Sequence, residues 1–234
     1  MPILLALDAS SNACSAALLR RVTGEEDQLF TRFALTPREH TRLLLPMVDE
    51  VLSEAGLTVS ALDGVAYGRG PGSFTGLRIA AGAAQGLAFG LERPLLGIST
   101  LAALALGAHR RHHYRYLITA LDARMGEIYV AAWLCRNGIP ESLLEEAVMP
   151  PERLRLPRGH EDNDWIGVGS GWKLWDSMPA TVQAGIGQHL PDVEADAADM
   201  VRLAASAFEA GEARPPHEVQ PVYLRDRVAW KTPR

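Results

Sequence analysis

The stretch GRGPGSFTGLRIAAGAAQGLA, residues 68–88, holds the residue types that grip phosphate: turn glycines, a serine, a threonine, then small residues at helical spacing. A Walker loop also needs glycine, four residues, then Gly-Lys-Ser/Thr, because the lysine neutralises phosphate charge and the hydroxyl ligates magnesium. Lys173 and Lys231 are the only lysines, and neither follows a glycine. The pattern G-x-G-x-x-G fails too: counted from Gly68 its last position is Ser73, and from Gly70 it is Thr75. Pro71-Gly72 reads as a turn pair, and Ser73 as the N-cap of a helix. A helix N-terminus can still take an anion, so a weak anion site stays open beside the plain turn.

The helix itself carries a second signal. Gly82, Gly86 and Gly90 are four apart and share one face. Gly76, Ala80 and Ala84 make another small stripe. Each glycine costs a helix about 1 kcal/mol against alanine. A row of them implies close backbone approach, either within one domain or against another chain.

Other chemistry-bearing residues are few. Cys14 and Cys135 are the only cysteines and form no C-x-x-C, which excludes a disulfide framework and a thiolate zinc site. His109-x-x-His112 lies in HRRHHYR without carboxylate or cysteine, so it reads as a charged linker and not as a metal site. A net charge of −5 on 234 residues excludes a general nucleic-acid binder. Apolar content of 47% and charged content of 22% are those of an ordinary globular chain, long enough for one large domain or two small ones. In MPILLALDAS no basic region precedes the apolar run, and Asp8 interrupts it, so no secretory signal is expected. No apolar stretch reaches the length of a membrane span. A reducing, cytoplasmic setting is the expectation.

The elements that position these residues repeat. LLALDA at 4–9 matches ITALDA at 118–123, each followed by a short turn and a second β-like run. The first run ends at Ala16-Ala17-Leu18-Leu19-Arg20, the second at Ala131-Ala132-Trp133-Leu134-Cys135-Arg136, and one inserted residue separates the two registers. The first half reads as strands over 3–7, 14–19 and 28–35, a helix, a strand over 64–68, the glycine-striped helix over 74–90, a strand over 94–98 and a helix over 100–108. TPRE at 36–39 is read as a capping box, with Thr36 as N-cap and Pro37 at the first helical position. Leu44, Met47, Val48, Val51 and Leu52 recur at helical spacing, Leu43 and Leu45 widen that surface, and Pro46 should kink the helix. The second half reads as strands over 116–121, 127–134, 142–148 and 165–168, then a helix over 199–210. The tail 217–232 has no period. The expectation is an α/β fold with duplicated ribonuclease-H-like halves, residues 1–108 and 109–234, as in the actin/sugar-kinase/Hsp70 superfamily.

Together GRGPGSFTGLRIAAGAAQGLA, LDASSNACSAAL, REHTRLLLPMVDEVL, LDARMGEIYV and PVYLR resemble the bacterial TsaB family, formerly YeaZ. The likeness covers nearly the whole chain, and PGSFTGLR is its sharpest motif. The resemblance implies a non-catalytic subunit needed to form N6-threonylcarbamoyladenosine beside the anticodon of tRNAs reading ANN codons. It implies a heterodimer with TsaD, participation of TsaE, a homodimer when alone, and contact with tRNA only through the complex. It implies no cofactor on this chain alone, ATP and a metal being used by the partner subunits.

In TsaD a histidine pair H-x-x-x-H holds metal. The matching positions here are Thr100 and Leu104, which ligate neither iron nor zinc. Asp8 and Asp122 match aspartates that sit near magnesium and phosphate in the superfamily's kinases. Their turns depart from that role: DASSN offers Ser10 and Ser11 but no glycine, and DARMGE puts Arg124 and Met125 where small residues belong. Asp8, Ser10, Ser11 and Asp122 are therefore candidates for a degenerate nucleotide cleft, or plain turn residues. The family's pairing helices correspond to Leu43, Leu44, Met47 and Val51 on one side and Arg78, Ile79, Gly82 and Gly86 on the other. The apolar surface around Leu43 and Met47 would need a partner to cover it. Arg110, Arg111, His112, His113 and Arg115 are a solvated linker or a minor contact to tRNA phosphates. A small-molecule kinase or ATPase of the same superfamily is the alternative activity, and a metallopeptidase the less favoured one.

Overall fold

The computed structural model describes residues 2–225 except positions 23 and 25. Residues 226–232 of the aperiodic tail lie outside that range. Strand β1 (Ile3–Asp8) pairs antiparallel with β2 (Ala13–Arg20), and β2 with β3 (Gln28–Leu35). Then come α1 (His40–Glu54), β4 (Gly64–Gly70), α2 (Phe74–Gly90), β5 (Leu95–Ser99) and α3 (Thr100–His112). The second half runs β6 (Tyr116–Asp122), β7 (Ile128–Arg136), β8 (Ile139–Met149), β9 (Trp165–Val168), α4 (Ala180–Gly185), β10 (Ile186–Leu190) and α5 (Ala197–Glu209).

The first sheet is ordered β3-β2-β1-β4-β5 and the second β8-β7-β6-β9-β10. In each, the first three strands are antiparallel and the fourth and fifth parallel to the first. Order and polarity thus repeat in full, which makes the duplication in LLALDA and ITALDA a property of the fold. The strand pairing places the one-residue offset in the first turn. Asp8 pairs with Ser15 but Asp122 with Ile128, so the second turn is one residue shorter. The matched alanine pairs are not equivalent positions. Strand β10 escaped the sequence reading because IGQHL is a short edge strand with a mid-strand glycine and no alternation.

Layering explains the apolar runs. Leu4 and Ala6 face one way, into a core shared with Leu101 and Leu104 of α3, Met200 and Val201 of α5, and Leu117, Leu121 and Trp133 of the second sheet. Leu5 and Leu7 face the other way, under α1 and α2. A strand buried on both faces reads as a continuous apolar run. The helices α3 and α5 therefore lie between the sheets, and α1 and α2 cover the outside of the first. On the second sheet's outer face Trp165, Trp172, Met178 and Val182 do this with little helix.

Two caps contrast. Ser73 accepts from the Gly76 N–H, as expected of an N-cap. Helix α1 instead begins at His40, behind Glu39, with no side-chain cap. Arg38 at φ +71° turns the chain there, so the TPRE capping box does not form. Pro46 lies inside α1 without ending it.

Candidate functional site

The turn after β1 is enclosed by its own chain. Asp8 and Ser10 are buried. The Asp8 carboxylate accepts the Ser10 N–H and the Ser10 hydroxyl, each at 3.1 Å. Burial pushes the Asp8 carboxyl up to about 7 against those two bonds, and the Asp196 charge adds to the rise. A phosphate is held by N–H donors; of this turn's amides the Ser10 N–H goes to Asp8 and the Ala13 N–H to the Ser11 hydroxyl, while its carbonyls bind neighbouring segments. The Ser10 carbonyl accepts the Ser73 N–H at 2.7 Å, the Ser11 carbonyl lies 3.0 Å from His40 Nε2, and the Asn12 carbonyl accepts the Thr36 N–H at 3.1 Å. The Ser11 hydroxyl accepts the Ala13 N–H at 3.2 Å.

The glycines of GRGPGSFTG make this closure sterically feasible. A β-carbon on Gly72 would lie 2.4 Å from the Ser10 oxygen, and one on Gly68 2.2 Å from Asp8 Oδ1. The loop between β4 and α2 therefore sits directly on the turn between β1 and β2.

Asp122 is placed differently. It is exposed, accepts the Arg124 N–H at 2.7 Å, and pairs with the Arg124 guanidinium at 3.1 Å. Its own N–H donates to Ser170 Oγ at 3.1 Å. The structure brings Asp8, Ser10 and Ser11 into one turn but leaves Asp122 engaged within another. Thr100 and Leu104 are both buried in the central core. Among the described residues no three or more His, Cys, Asp or Glu side chains gather into a metal-sized group.

The outer layer of α1 and α2 separates into two faces. Leu44, Met47 and Val51 point into the chain's own core, and Leu43 and Ile79 pack half-buried against it. This corrects the expectation that the surface around Leu43 and Met47 needs a partner to cover it. What α1 and α2 leave open is different: Leu45, Phe74, Arg78, Gly82, Gly86, Phe89 and Gly90 are exposed. Nothing lies within 4 Å of a β-carbon built on Gly82, Gly86 or Gly90. Gly76, Ala80 and Ala84 form the opposite, buried stripe. One helix thus carries small residues for two purposes, inward packing and an open ridge.

The arginine run is another correction. Arg110 and Arg111 are in the last turn of α3 and hold Asp199 of α5 at 2.6 and 3.5 Å. They tie the two central helices together and are no linker. Asp199, fully buried, was missed by sequence reasoning; its signal was an acid in the first turn of a helix opened by Asp196. Also missed was the cluster in which Glu146 of β8 accepts from Ser99 and pairs with Arg69 at 3.1 Å. No local pattern joins residues so far apart in the chain.

Comparisons with known proteins agree with this architecture. Residues 34–232 match the family model for TsaD, tRNA N6-adenosine threonylcarbamoyltransferase. The Escherichia coli K12 tRNA threonylcarbamoyladenosine biosynthesis protein TsaB is 40% identical over 97% of this chain and 96% of its own. The Haemophilus influenzae protein of the same name is 39% identical over 97% and 95%. YeaZ from Pseudomonas aeruginosa superposes with a TM-score of 0.88 at 42% identity, covering 96% of this chain and all of that one. Among the described residues no helix is long and apolar enough to cross a membrane.

Proposed function

Because the chain belongs to the TsaB family, within the wider group that the TsaD model describes, we propose that it is a required, non-catalytic subunit in forming N6-threonylcarbamoyladenosine on tRNA. A role in threonylcarbamoyladenosine biosynthesis is the family's; the division of labour is our reading. In that reading TsaD carries the chemistry, with TsaE alongside it, ATP and metal belong to those partners, and tRNA is met through the assembly in the cytoplasm.

One observation carries the non-catalytic part. The turn that would hold a phosphate spends its polar groups on its own chain, around a carboxyl held at about 7 by burial. An enclosed aspartate whose two oxygens already accept from Ser10 is poorly placed to ligate magnesium or to orient a nucleophile. The buried Thr100 and Leu104 support the same reading, since no ligand pair stands there. The open glycine ridge of α2 supports pairing with TsaD, or with a second copy when TsaD is absent, because small residues let helices approach closely.

The test is a reconstitution with TsaD, TsaE, the adenylate synthase, tRNA, threonine, bicarbonate and ATP, with and without this chain. Modified adenosine is expected only when both this chain and TsaD are present. Equal product in its absence removes the required role. Product from this chain without TsaD removes the non-catalytic one. Gly86→Leu should weaken pairing with TsaD while the monomer stays folded; unchanged pairing would reject α2 as the interface.

A further inference from the structure

After α5 the chain returns to the first half. Arg214 and Leu95 exchange N–H···O bonds of 2.8 and 3.0 Å at the free edge of β5. Gln85 of α2 donates to the carbonyls of Val219 at 2.9 Å and Pro216 at 3.4 Å. The Val222 N–H reaches the Arg69 carbonyl at 2.8 Å. Tyr223 lies against Phe74 with ring centroids 5.5 Å apart, and its hydroxyl accepts from Arg78 Nε at 3.4 Å. Arg78 also stacks over Phe74, 3.9 Å from the ring centre. Two residues on, Arg225 pairs with Glu127 and donates to the Arg124 carbonyl at 3.4 Å. Residues 214–225 therefore link the edge of the first sheet, the N-terminal end of α2 and the β6–β7 turn of the second half.

Both ends of this link are poised. At α2 the Tyr223 ring is 43% exposed and the Phe74 ring 56%, so the contact is a surface one. At the turn, Arg124 and Met125 hold φ of +64° and +57°. Non-glycine residues pay about 1 kcal/mol each in that region, and the bonds from Arg225 to Glu127 and to the Arg124 carbonyl add to those within the turn. Only Leu224 separates Tyr223 from Arg225, and two residues span at most about 7 Å. A backbone displacement of Tyr223 beyond that span must therefore move Arg225 too.

We propose that residues 214–225 are a coupling strap: a partner helix on the outer face of α2 displaces Tyr223 from Phe74 and Arg78, and Arg225 then releases the turn that carries Asp122. The partner's part rests on the reading of α2 as the pairing face. A ligand shifts such an equilibrium by its differential contacts with the two states, and here the contested surface is Phe74 and Arg78.

Amide hydrogen exchange of the full chain tests the strap without a partner. The Ala123 N–H bonds the Glu127 carbonyl at 2.9 Å and the Glu127 N–H the Arg124 carbonyl at 3.1 Å, so peptides over 122–128 report the turn. Tyr223→Ala and Arg225→Ala should each speed exchange there roughly fivefold. Faster exchange in only one variant means that the anchors act independently, and no change in either means that the strap does not hold the turn; both results overturn the proposal. Adding TsaD to the unaltered chain should also speed exchange over 122–128. Binding that leaves the turn unchanged overturns the coupling alone. Absence of binding overturns the pairing reading, and with it the partner's part here.

Discussion

Gly76 lies so close to Ala9 that a β-carbon on it would sit 1.8 Å from the Ala9 carbonyl oxygen. The contact joins α2 to the turn after β1, backbone against backbone, and the Ser73–Ser10 hydrogen bond seals it. Neither side can yield as a flexible side chain would. Gly76→Ala should cost roughly 3 kcal/mol of unfolding free energy. Urea denaturation measures it, and a loss below about 1 kcal/mol would mean that the loop shifts freely.

Gly86→Ala, ten residues along the same helix, should have the opposite sign. Its position is open, so the methyl meets nothing, and the helix gains intrinsic propensity. The monomer should be stabilised by roughly 0.5–1 kcal/mol. A destabilised monomer would show that the outer face of α2 is packed by its own chain.

Asp8 sets a pH dependence. Its carboxyl is raised from 3.8 to about 7 in the folded chain, so the folded state holds a proton that the unfolded state releases. Stability is then highest at acid pH and falls as pH rises from about 4 to 7, beyond which this contribution is flat. Asp196, also raised by burial, acts in the same direction. Asp8→Asn removes the ionisation while keeping an acceptor for the Ser10 N–H. The variant should gain on the parent as pH rises from about 4 to 7, by an amount bounded at roughly 4 kcal/mol. Parallel stability curves for the two proteins would show that Asp8 stays ionised.

Asp199→Ala should loosen the packing of α3 on α5. Its carboxylate is buried, but Arg110 and Arg111 are more than a third exposed, so the loss should be about 2 kcal/mol and not that of a fully buried pair. Arg110→Ala should lower the melting temperature less, since Arg111 remains. The salt dependence of tRNA binding by the assembled complex should stay unchanged in Arg110→Ala. A weakened salt slope would return these arginines to phosphate contact.

Local pattern carried much of the architecture. Alternation and turn residues located nine of the ten strands among the described residues, because each lies between identifiable breaks. Ser73 as a cap was legible because its partner is three residues away. Thr36 was misread by the same logic, since the left-handed Arg38 delays α1 until His40 and nothing in TPRE announces that. The apolar positions of α1 were read correctly as one stripe, but periodicity says only that a stripe is covered, not by what. Leu44, Met47 and Val51 are covered by β1, β2 and β3 of the same chain.

By itself the sequence determined the duplicated α/β plan and the missing Walker lysine, because these depend on residue type and short spacing. The tertiary structure decided the rest. It decided that Gly72 and Gly76 seat a loop on a neighbouring turn while Gly82 and Gly86 face outward. It decided that Asp8 is enclosed and Asp122 exposed, although both end the same motif. It paired Arg110 with Asp199, and Tyr223 with Phe74, across intervals no pattern spans. Burial and charge partners are properties of packed layers, and layers form only when distant segments meet.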